Sequence, residues 1–313
     1  MRCNFCRMKI GIIGNGIHSK RIQKILRTEK IQYLIYKPNN KSYYDKTKFE
    51  ELKKCDAYFI ISINKSHFFY IKKLISNKFI FCEKPPVTSN KDLKTLVKMN
   101  NNKIYFNFNF RFSKIAKILE KRNKYKLGNL LYANIISSHG LSYKKEYISS
   151  WRSNIKKNPK GVFETVSIHF IDLINYFFNI EKLKKPKLYN KSGIGSAYDT
   201  AHASIILKKN ILADIFVTYK SALNKKLFFL FENGIIEQNN NQINIKGPAR
   251  NFNKEGFFKY PKTIAKYNVS DKNDYTHSLK ESVLFFLKHA KLNKKFKYEL
   301  FKCSVLSNQF LLK

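Results

Sequence analysis

The chain has 313 residues, of which 43% are hydrophobic, enough to build the cores of two domains of ordinary size. No apolar run approaches the roughly 20 residues that cross a bilayer. The first residues, MRCNFCR, also lack the apolar stretch of a signal peptide. These features exclude a disordered or membrane-spanning chain and predict a cytoplasmic protein with no membrane partner.

The formal net charge of +40 raises the question of nucleic-acid binding. Only eight of the 61 basic residues are arginine, and the lysines are spread along the whole chain. Specific readers of nucleic acid favour arginine, because its planar fork pairs with guanine and phosphate. Abundant Asn, Ile, Phe and Tyr accompany the lysines, which indicates A/T-rich codons. We therefore expect no specific nucleic-acid partner, although the charge should attract anionic ligands.

The five cysteines, at positions 3, 6, 55, 82 and 303, predict free thiols. Cys3 and Cys6 form a lone CxxC pair without further ligands, so no metal site is expected. Because Met8 opens the segment MKIGIIG, residues 1–7 are interpreted as an extension upstream of the true start codon.

The first third of the chain predicts strands that alternate with helices. Short apolar runs such as KIGII at 9–13 are typical of buried strands, and helical spacing follows them. The predicted strands are 9–13, 31–36, 57–63, 79–82 and 104–110, and the helices are 19–28, 66–77 and 89–100. This alternation predicts an α/β domain at 8–115 with a doubly wound parallel sheet of the Rossmann type.

The pattern changes near residue 115. The predicted helices are 113–124, 163–178, 275–291 and 298–311, and the strands are 131–138, 200–207, 211–219, 225–231 and 242–246. Asn233-Gly234 predicts a turn, and 247–273 is predicted to be loop. Residues 116–313 are therefore expected to form an α+β domain with an open, mostly antiparallel sheet.

A glycine-rich segment, GIIGNGIHS at 11–19, lies between the first strand and the first helix. Gly14 permits a tight turn, and Gly16 lets the backbone approach a pyrophosphate at the helix N-terminus. Ser19 replaces the third glycine of the dinucleotide fingerprint. A glycine turn without a ligand remains the alternative. The candidate cofactor-binding residues here are Gly14, Asn15, Gly16, Ile17 and His18.

The end of the second strand bears on which dinucleotide binds. A carboxylate at this point would bind the ribose 2′-hydroxyl of NAD, but the sequence reads Tyr36-Lys37-Pro38. Lys37 could instead bind the 2′-phosphate of NADP, which favours NADP over NAD. The alternative is that Lys37 is an ordinary surface lysine.

The segment FCEKPP at 81–86 directly follows the fourth strand. Ligands bind at the carboxyl ends of such strands, so Lys84 should face the cofactor crevice. An ammonium beside a substrate hydroxyl can hydrogen-bond it and help move its proton. Glu83 is expected to orient the ammonium or balance its charge. The alternative is a solvated lysine before a turn.

The segment GVFETVSIHFID at 161–172 predicts a helix with polar groups near one face. Thr165 and His169 are four residues apart, and Asp172 falls close to them. An imidazole can accept the proton released when an alcohol becomes a ketone. The alternative is a packed histidine that Asp172 or the backbone satisfies.

Together these motifs resemble the Gfo/Idh/MocA family, named after glucose-fructose oxidoreductase, inositol dehydrogenase and rhizopine catabolism. The matching pieces occur in family order over about residues 8–240: GIIGNGIHS (11–19), SINKSH (62–67), FCEKPPVTSN (81–90), NFRF (109–112), WR (151–152), GVFETVSIHFIDL (161–173) and FENGIIE (231–237).

The resemblance implies NAD(P)-dependent hydride transfer to or from a secondary hydroxyl of a sugar, polyol or nucleotide sugar. It implies Lys84 and His169 as the catalytic residues and a homo-oligomer that forms through the C-terminal sheet. The resemblance adds Asn64, His67, Glu83 and Lys84 to the cofactor side. The implied substrate-binding residues are Lys84, Arg111, Trp151, Arg152, Thr165 and His169.

One departure from the family pattern leaves a second function open. Many members carry Asp four residues before the histidine, where this chain has Thr165 with Glu164 beside it. Threonine cannot hold a charge for the imidazole. The alternative is therefore a non-catalytic dinucleotide-binding sensor or regulatory protein of the same fold.

Overall fold

The computed structural model describes residues 8–38, 46–75, 78–248 and 252–312. Two compact units make up the chain. The first runs to Asn109 and takes in His277–Leu312, and the second is Phe110–Thr276. This division differs from the expected 8–115 and 116–313, because the last 36 residues of the first unit come from the end of the chain.

The first unit contains a five-stranded sheet in the order β2-β1-β3-β4-β5, and every neighbouring pair is parallel. The strands are β1 (Lys9–Ile13), β2 (Gln32–Tyr36), β3 (Ala57–Ile60), β4 (Phe79–Glu83) and β5 (Ile104–Asn107). The helices are α1 (Ile17–Thr28), α2 (Lys46–Lys53), α3 (His67–Leu74) and α4 (Asn90–Met99). The strand order reverses at β1, and open sheets bind ligands at such a point.

The second unit contains a nine-stranded sheet whose main order is β14-β13-β12-β11-β6-β10-β9-β7, with β8 paired to β9. Only β6 and β10 pair in parallel. The helices are α5 (Lys114–Glu120) and α6 (Ile168–Phe178). The strands are β6 (Leu130–Ser138), β7 (Ile180–Leu183), β8 (Lys187–Tyr189), β9 (Thr200–Leu207), β10 (Leu212–Thr218), β11 (Asn224–Phe231), β12 (Gly234–Asn239), β13 (Gln242–Lys246) and β14 (Thr263–Asn268).

Two helices, α7 (Asp271–Lys291) and α8 (Tyr298–Leu312), end the chain. The division between the units falls within α7, and its later part completes the core of the first unit. The ring of Phe286 meets those of Phe59 and Phe81 at centroid distances of 5.0 and 5.5 Å. These rings cover the face of the parallel sheet, so the terminal helices are structural parts of the first unit.

The predicted fold class is confirmed: a doubly wound parallel sheet and a mostly antiparallel second sheet. The turn at Asn233-Gly234 is also confirmed, since β11 ends at Phe231 and β12 begins at Gly234. The prediction of loop over 247–273 is wrong in part, because the stretch contains β14 and the start of α7. β14 is an edge strand of mostly exposed residues, and the apolar and polar residues of its sequence, TIAKYN, do not alternate strictly.

Candidate functional site

The glycine turn joins β1 to α1 at the carboxyl edge of the parallel sheet. Gly14 has φ +106°, and a Cβ there would collide with the carbonyl oxygen of Ile61, so only glycine fits. At Gly16 a Cβ would meet no described atom within 4 Å, so this side of the turn is open. Ser19 is buried and donates a hydrogen bond to the Gly14 carbonyl at 2.8 Å. The missing third glycine is thus accommodated.

The same turn fits the pyrophosphate of a dinucleotide. Helix α1 begins after Gly16 with no side chain capping its first amide groups, and its first turn carries no acidic residue. The N-terminus of a helix with uncapped N–H groups attracts anions. Gly16, Ile17 and His18 are the residues that would hold the phosphates. Asn15 precedes them, and its Oδ1 accepts a hydrogen bond from Gln23 at 3.0 Å.

Glu83, the last residue of β4, is buried and bound to the glycine turn. Its Oε1 lies 2.7 Å from His18 Nε2 and accepts a 2.5 Å hydrogen bond from Asn107. Burial alone would raise the pKa of Glu83, but the charge and hydrogen bond of His18 and the amide of Asn107 hold that pKa below its usual value. The carboxylate therefore stays ionised and fixes the turn against β4.

Lys84 follows this anchored carboxylate and is half-buried. The next carbonyl, that of Pro85, lies 2.8 Å from Nδ1 of the buried His67, whose Nε2 lies 3.1 Å from the Ser62 carbonyl. Burial lowers the pKa of His67, although its contacts with these two carbonyls act to raise it. His67 thus joins the loops that follow β3 and β4, and this contact positions the backbone beside Lys84.

Two other predicted cofactor residues lie on the same edge of the sheet. Lys37 is exposed directly after Tyr36, the last residue of β2. Asn64 is half-buried in a short turn, Asn64–Ser66, that leads into α3. The glycine turn, Lys37, Asn64 and Lys84 therefore all follow the carboxyl ends of parallel strands.

In the second unit, a π-helical turn (Phe163–Ser167) precedes α6 and carries Thr165. π-Helical insertions are rare and often occur at functional sites. The Thr165 hydroxyl lies 2.5 Å from the hydroxyl of Tyr219 and donates to the Gly161 carbonyl at 3.1 Å. Burial raises the pKa of Tyr219, although Thr165 and Arg152 act to lower it. Thr165 therefore meets a neutral phenol.

Arg152 and His139 lie beside the same phenol. The Arg152 guanidinium is 4.4 Å from the ring centroid of Trp151, which is 39% exposed. The ring of His139 lies 4.8 Å from that of Tyr219. Burial, Arg152 and Lys144 all lower the pKa of His139. A polar cluster of Thr165, Tyr219, Arg152 and His139 results.

His169 and Asp172, both on α6, have different partners. The His169 ring stacks on Phe110 at 4.5 Å, and it is half-buried. Asp172 is fully buried and accepts two hydrogen bonds from Arg111, at 2.8 and 2.5 Å. Both carboxylate oxygens of Asp172 therefore bind Arg111. These contacts give Arg111, which is 9% exposed, a structural role in the second unit.

The geometry adds residues that sequence reasoning missed. Asn107 and His18 both contact the Glu83 carboxylate, Tyr219 contacts Thr165, and His139 contacts Tyr219. Glu83 was expected to orient Lys84 or to balance its charge. Lys84 acts on the carboxylate through its charge, and His18 and Asn107 contact the carboxylate directly. Asn107 is a polar residue at the end of β5, and this is the one sequence signal that could have pointed to it. No sequence pattern points to Tyr219.

Comparison with known proteins identifies the first unit. Residues 8–104 match the model of the Gfo/Idh/MocA family, described as an oxidoreductase family with an NAD-binding Rossmann fold. Residues 8–104 therefore belong to the Gfo/Idh/MocA oxidoreductase family. The match covers the glycine turn, Glu83 and Lys84, so the family recognised in the sequence is confirmed over this segment.

Solved structures extend the likeness to almost the whole chain. A dehydrogenase (MviM) from Clostridium difficile is 18% identical with a TM-score of 0.67, and 97% of each chain is covered. Levoglucosan dehydrogenase in complex with NADH is 13% identical with a TM-score of 0.75, covering 96% of this chain and 94% of that one. At such identities the likeness shows that this chain has the same two-part fold as these dehydrogenases.

A third similar structure is an oxidoreductase from Agrobacterium radiobacter in complex with NAD⁺, L-tartaric acid and magnesium. It is 12% identical with a TM-score of 0.71, covering 96% of this chain and 94% of that one. No curated protein matches the sequence. Among the described residues, no helix is long and apolar enough to span a bilayer.

Proposed function

We propose that the protein transfers a hydride between NAD(P) and a secondary hydroxyl of a sugar, polyol or nucleotide sugar. One observation carries the proposal: the buried Glu83 fixes the segment bearing Lys84 to an open, uncapped glycine turn. This arrangement sets an ammonium and a dinucleotide-binding turn at the same edge of one sheet. The match of residues 8–104 to an NAD-binding oxidoreductase family supports it.

The candidate residues have separate roles in the proposed reaction. When bound, the nicotinamide would supply or accept the hydride. Lys84 hydrogen-bonds the substrate oxygen and stabilises the negative charge that develops on it. His169 takes the hydroxyl proton in the oxidation and returns it in the reduction. Arg152, beside Thr165 and Tyr219, binds the remaining hydroxyl or anionic groups of the substrate.

Lys84→Ala tests the catalytic part of the proposal. NADPH oxidation is followed with a panel of keto sugars, and NADPH binding is measured by fluorescence. We expect kcat to fall about 10²- to 10⁴-fold, the usual contribution of a positioned proton-transfer group, while NADPH still binds. Lys91→Ala, an exposed lysine on α4, is the matched control. Unchanged turnover in Lys84→Ala would refute the role of Lys84.

For the cofactor we propose NADP over NAD, on the basis of Lys37. Its ammonium is exposed at the end of β2, and the sequence offers no carboxylate there for a ribose hydroxyl. Lys37→Asp should weaken NADPH binding more than NADH binding, because it places a negative charge where the 2′-phosphate would lie. Equal affinities of the wild type and the variant for NADPH, by calorimetry, would contradict this preference.

A second candidate function is a dinucleotide sensor without catalysis. It is favoured by the Thr165–Tyr219 contact of 2.5 Å, which puts two neutral hydroxyls where relatives offer a carboxylate to the histidine. Tight NADPH binding without turnover across the keto-sugar panel would select this candidate. Turnover with any sugar would exclude it.

We also propose that the protein is a homo-oligomer assembled through the outer face of the second sheet. This face exposes Leu212 (54%) and Phe216 (38%) on β10, on either side of Asp214. Asp214 accepts hydrogen bonds from Ser204 at 2.7 Å and Tyr132 at 3.1 Å. Apolar side chains around a satisfied polar centre are typical of interfaces. A monomer in sedimentation velocity at micromolar concentration would contradict the proposal.

A further inference from the structure

A hairpin between β13 and β14 carries the three most exposed aromatic side chains described in the second unit, Phe257, Phe258 and Tyr260. In this segment, residues 252–262, Phe252 is 59% exposed, Phe257 69%, Phe258 88% and Tyr260 98%. Taking about 200 Å² for a whole aromatic side chain, these four expose on the order of 600 Å². Large apolar side chains exposed close together in one short segment mark interaction sites.

A β-bridge and side-chain hydrogen bonds give the hairpin a defined backbone conformation. Its ends pair through an antiparallel bridge between Phe252 and Phe258, whose rings lie 5.2 Å apart. The side-chain oxygen of Asn253 accepts hydrogen bonds from the amides of Glu255 and Phe257 at 3.0 and 2.7 Å. Gly256 takes φ +88°, which a side chain would disfavour. The backbone therefore holds the aromatic residues outward.

The charged residues of the hairpin indicate the chemical class of its binding partner. Lys254, Lys259 and Lys262 are exposed around the aromatic residues, and Glu255 is the one acid in the segment. The Glu255 carboxylate already accepts a hydrogen bond from Asn253 at 2.9 Å. Contact with a second copy through this patch would set its lysines against identical lysines, which repel. The patch therefore fits an anionic surface.

The exposure of the rings distinguishes among anionic partners. Stacking on single-stranded nucleic acid needs rings held in place as platforms. Phe258 meets the ring of Phe252, but Tyr260 is 98% exposed, so little packing fixes the plane of its ring. A lipid interface needs no fixed plane, and it takes phenylalanine into the acyl boundary and tyrosine at the headgroups while lysines meet anionic lipids.

We propose that this aromatic hairpin binds reversibly to an anionic phospholipid bilayer. The aromatic side chains enter the interface and the lysines contact the headgroups. The hairpin would bring the protein to a membrane surface without a spanning segment, which departs from the sequence-based expectation of no membrane partner. The proposal is independent of the reaction proposed above, since it uses none of the candidate site residues.

Vesicle co-sedimentation of the full-length protein tests the proposal, with phosphatidylcholine alone and with 30% phosphatidylserine. The wild type should bind the anionic vesicles only, and 0.5 M salt should weaken binding. Phe257→Ser with Phe258→Ser should lower binding by about tenfold or more, from the apolar area lost. The control combines Val97→Ser and Leu223→Ser, which alter residues that are 51% and 70% exposed elsewhere, and it should bind like the wild type.

A second readout does not depend on the stability of that variant. Phe257→Trp in a Trp151→Phe background provides a single tryptophan, since the chain has only one. We expect a blue shift of its fluorescence on anionic vesicles and quenching by brominated lipid. Binding absent in the wild type, equal loss in the control pair, or a tryptophan that stays in water would each overturn the proposal. So would self-association or RNA binding that accounts for the patch.

Discussion

At the scale of single residues, the sequence located the candidate groups but not their partners. The position of Lys84 after β4 followed from the apolar run and the EKP segment. The partner of Glu83 did not, because His18 is 65 residues away and meets it only through the strand order of the parallel sheet. For the same reason no sequence pattern predicted the contact between Thr165 and Tyr219, which are 54 residues apart.

The Glu83 anchor predicts an acid-dependent loss of stability. The pKa of Glu83 is lowered in the folded state, so its contribution is present above the unfolded-state value of about 4.3 and is lost as the pH falls through the lower folded value. Glu83→Gln should cost about 1–3 kcal/mol near pH 7, and the gap from the wild type should close with acidification.

Thermal unfolding followed by circular dichroism between pH 7 and 3 measures this gap. Glu120→Gln, an exposed glutamate at the end of α5, is the control and should follow the wild type at every pH. A gap between Glu83→Gln and the wild type that stays constant, or widens towards acid, would show that the carboxylate does not act through its charge.

At the scale of elements, burial decided which strands and helices the sequence could predict. Strands β1, β3 and β4 are almost wholly buried apolar runs, and their predicted positions are close to those observed. The elements that the sequence did not reveal are short, polar or at an edge: α2, β7, β8, β12 and β14. In β12, GIIEQN alternates in burial, but Asn and Gln surround it and hide the period. Tertiary pairing, not local preference, forms such strands.

The π-helical turn is a further feature that spacing could not predict. A helix over 163–178 was expected to carry Thr165, His169 and Asp172 near one face. The structure has a wider turn at Phe163–Ser167, then α6, and the three side chains reach Tyr219, Phe110 and Arg111 in turn. An extra residue in a turn changes every later direction by about 100°, and the sequence pattern does not record it.

The Arg111–Asp172 pair predicts how α6 is held in place. Asp172→Asn would leave the Arg111 guanidinium buried without its counter-charge, and we expect a loss of about 3–5 kcal/mol in the free energy of unfolding. Asp271→Asn breaks a partly exposed pair with Lys225 and should cost less than about 1 kcal/mol. Urea unfolding of the two variants measures both values, and similar losses would contradict the structural role of the buried pair.

At the scale of the whole molecule, composition and topology carried different information. Strands alternating with helices predicted the first sheet and a run of successive strands predicted the second, because each follows from short-range pattern. His277–Leu312 belongs to the first unit although it is distant in sequence from the parallel sheet. Its packing depends on Phe286 and its neighbours, which cover a face of that sheet. The net charge of +40 did not indicate which lysines take part in binding. In the structure, the three lysines of the hairpin lie around its exposed aromatic rings.

The direct test of the central claim is to follow the hydride itself. The protein is incubated with NADPH carrying deuterium at the reactive C4 position and with a panel of keto sugars and nucleotide keto sugars, and the products are analysed by mass spectrometry. The account predicts one deuterium on the carbinol carbon of at least one product, formed at least about 100-fold more slowly with Lys84→Ala. Cofactor that binds but retains all of its deuterium with every member of the panel would contradict it.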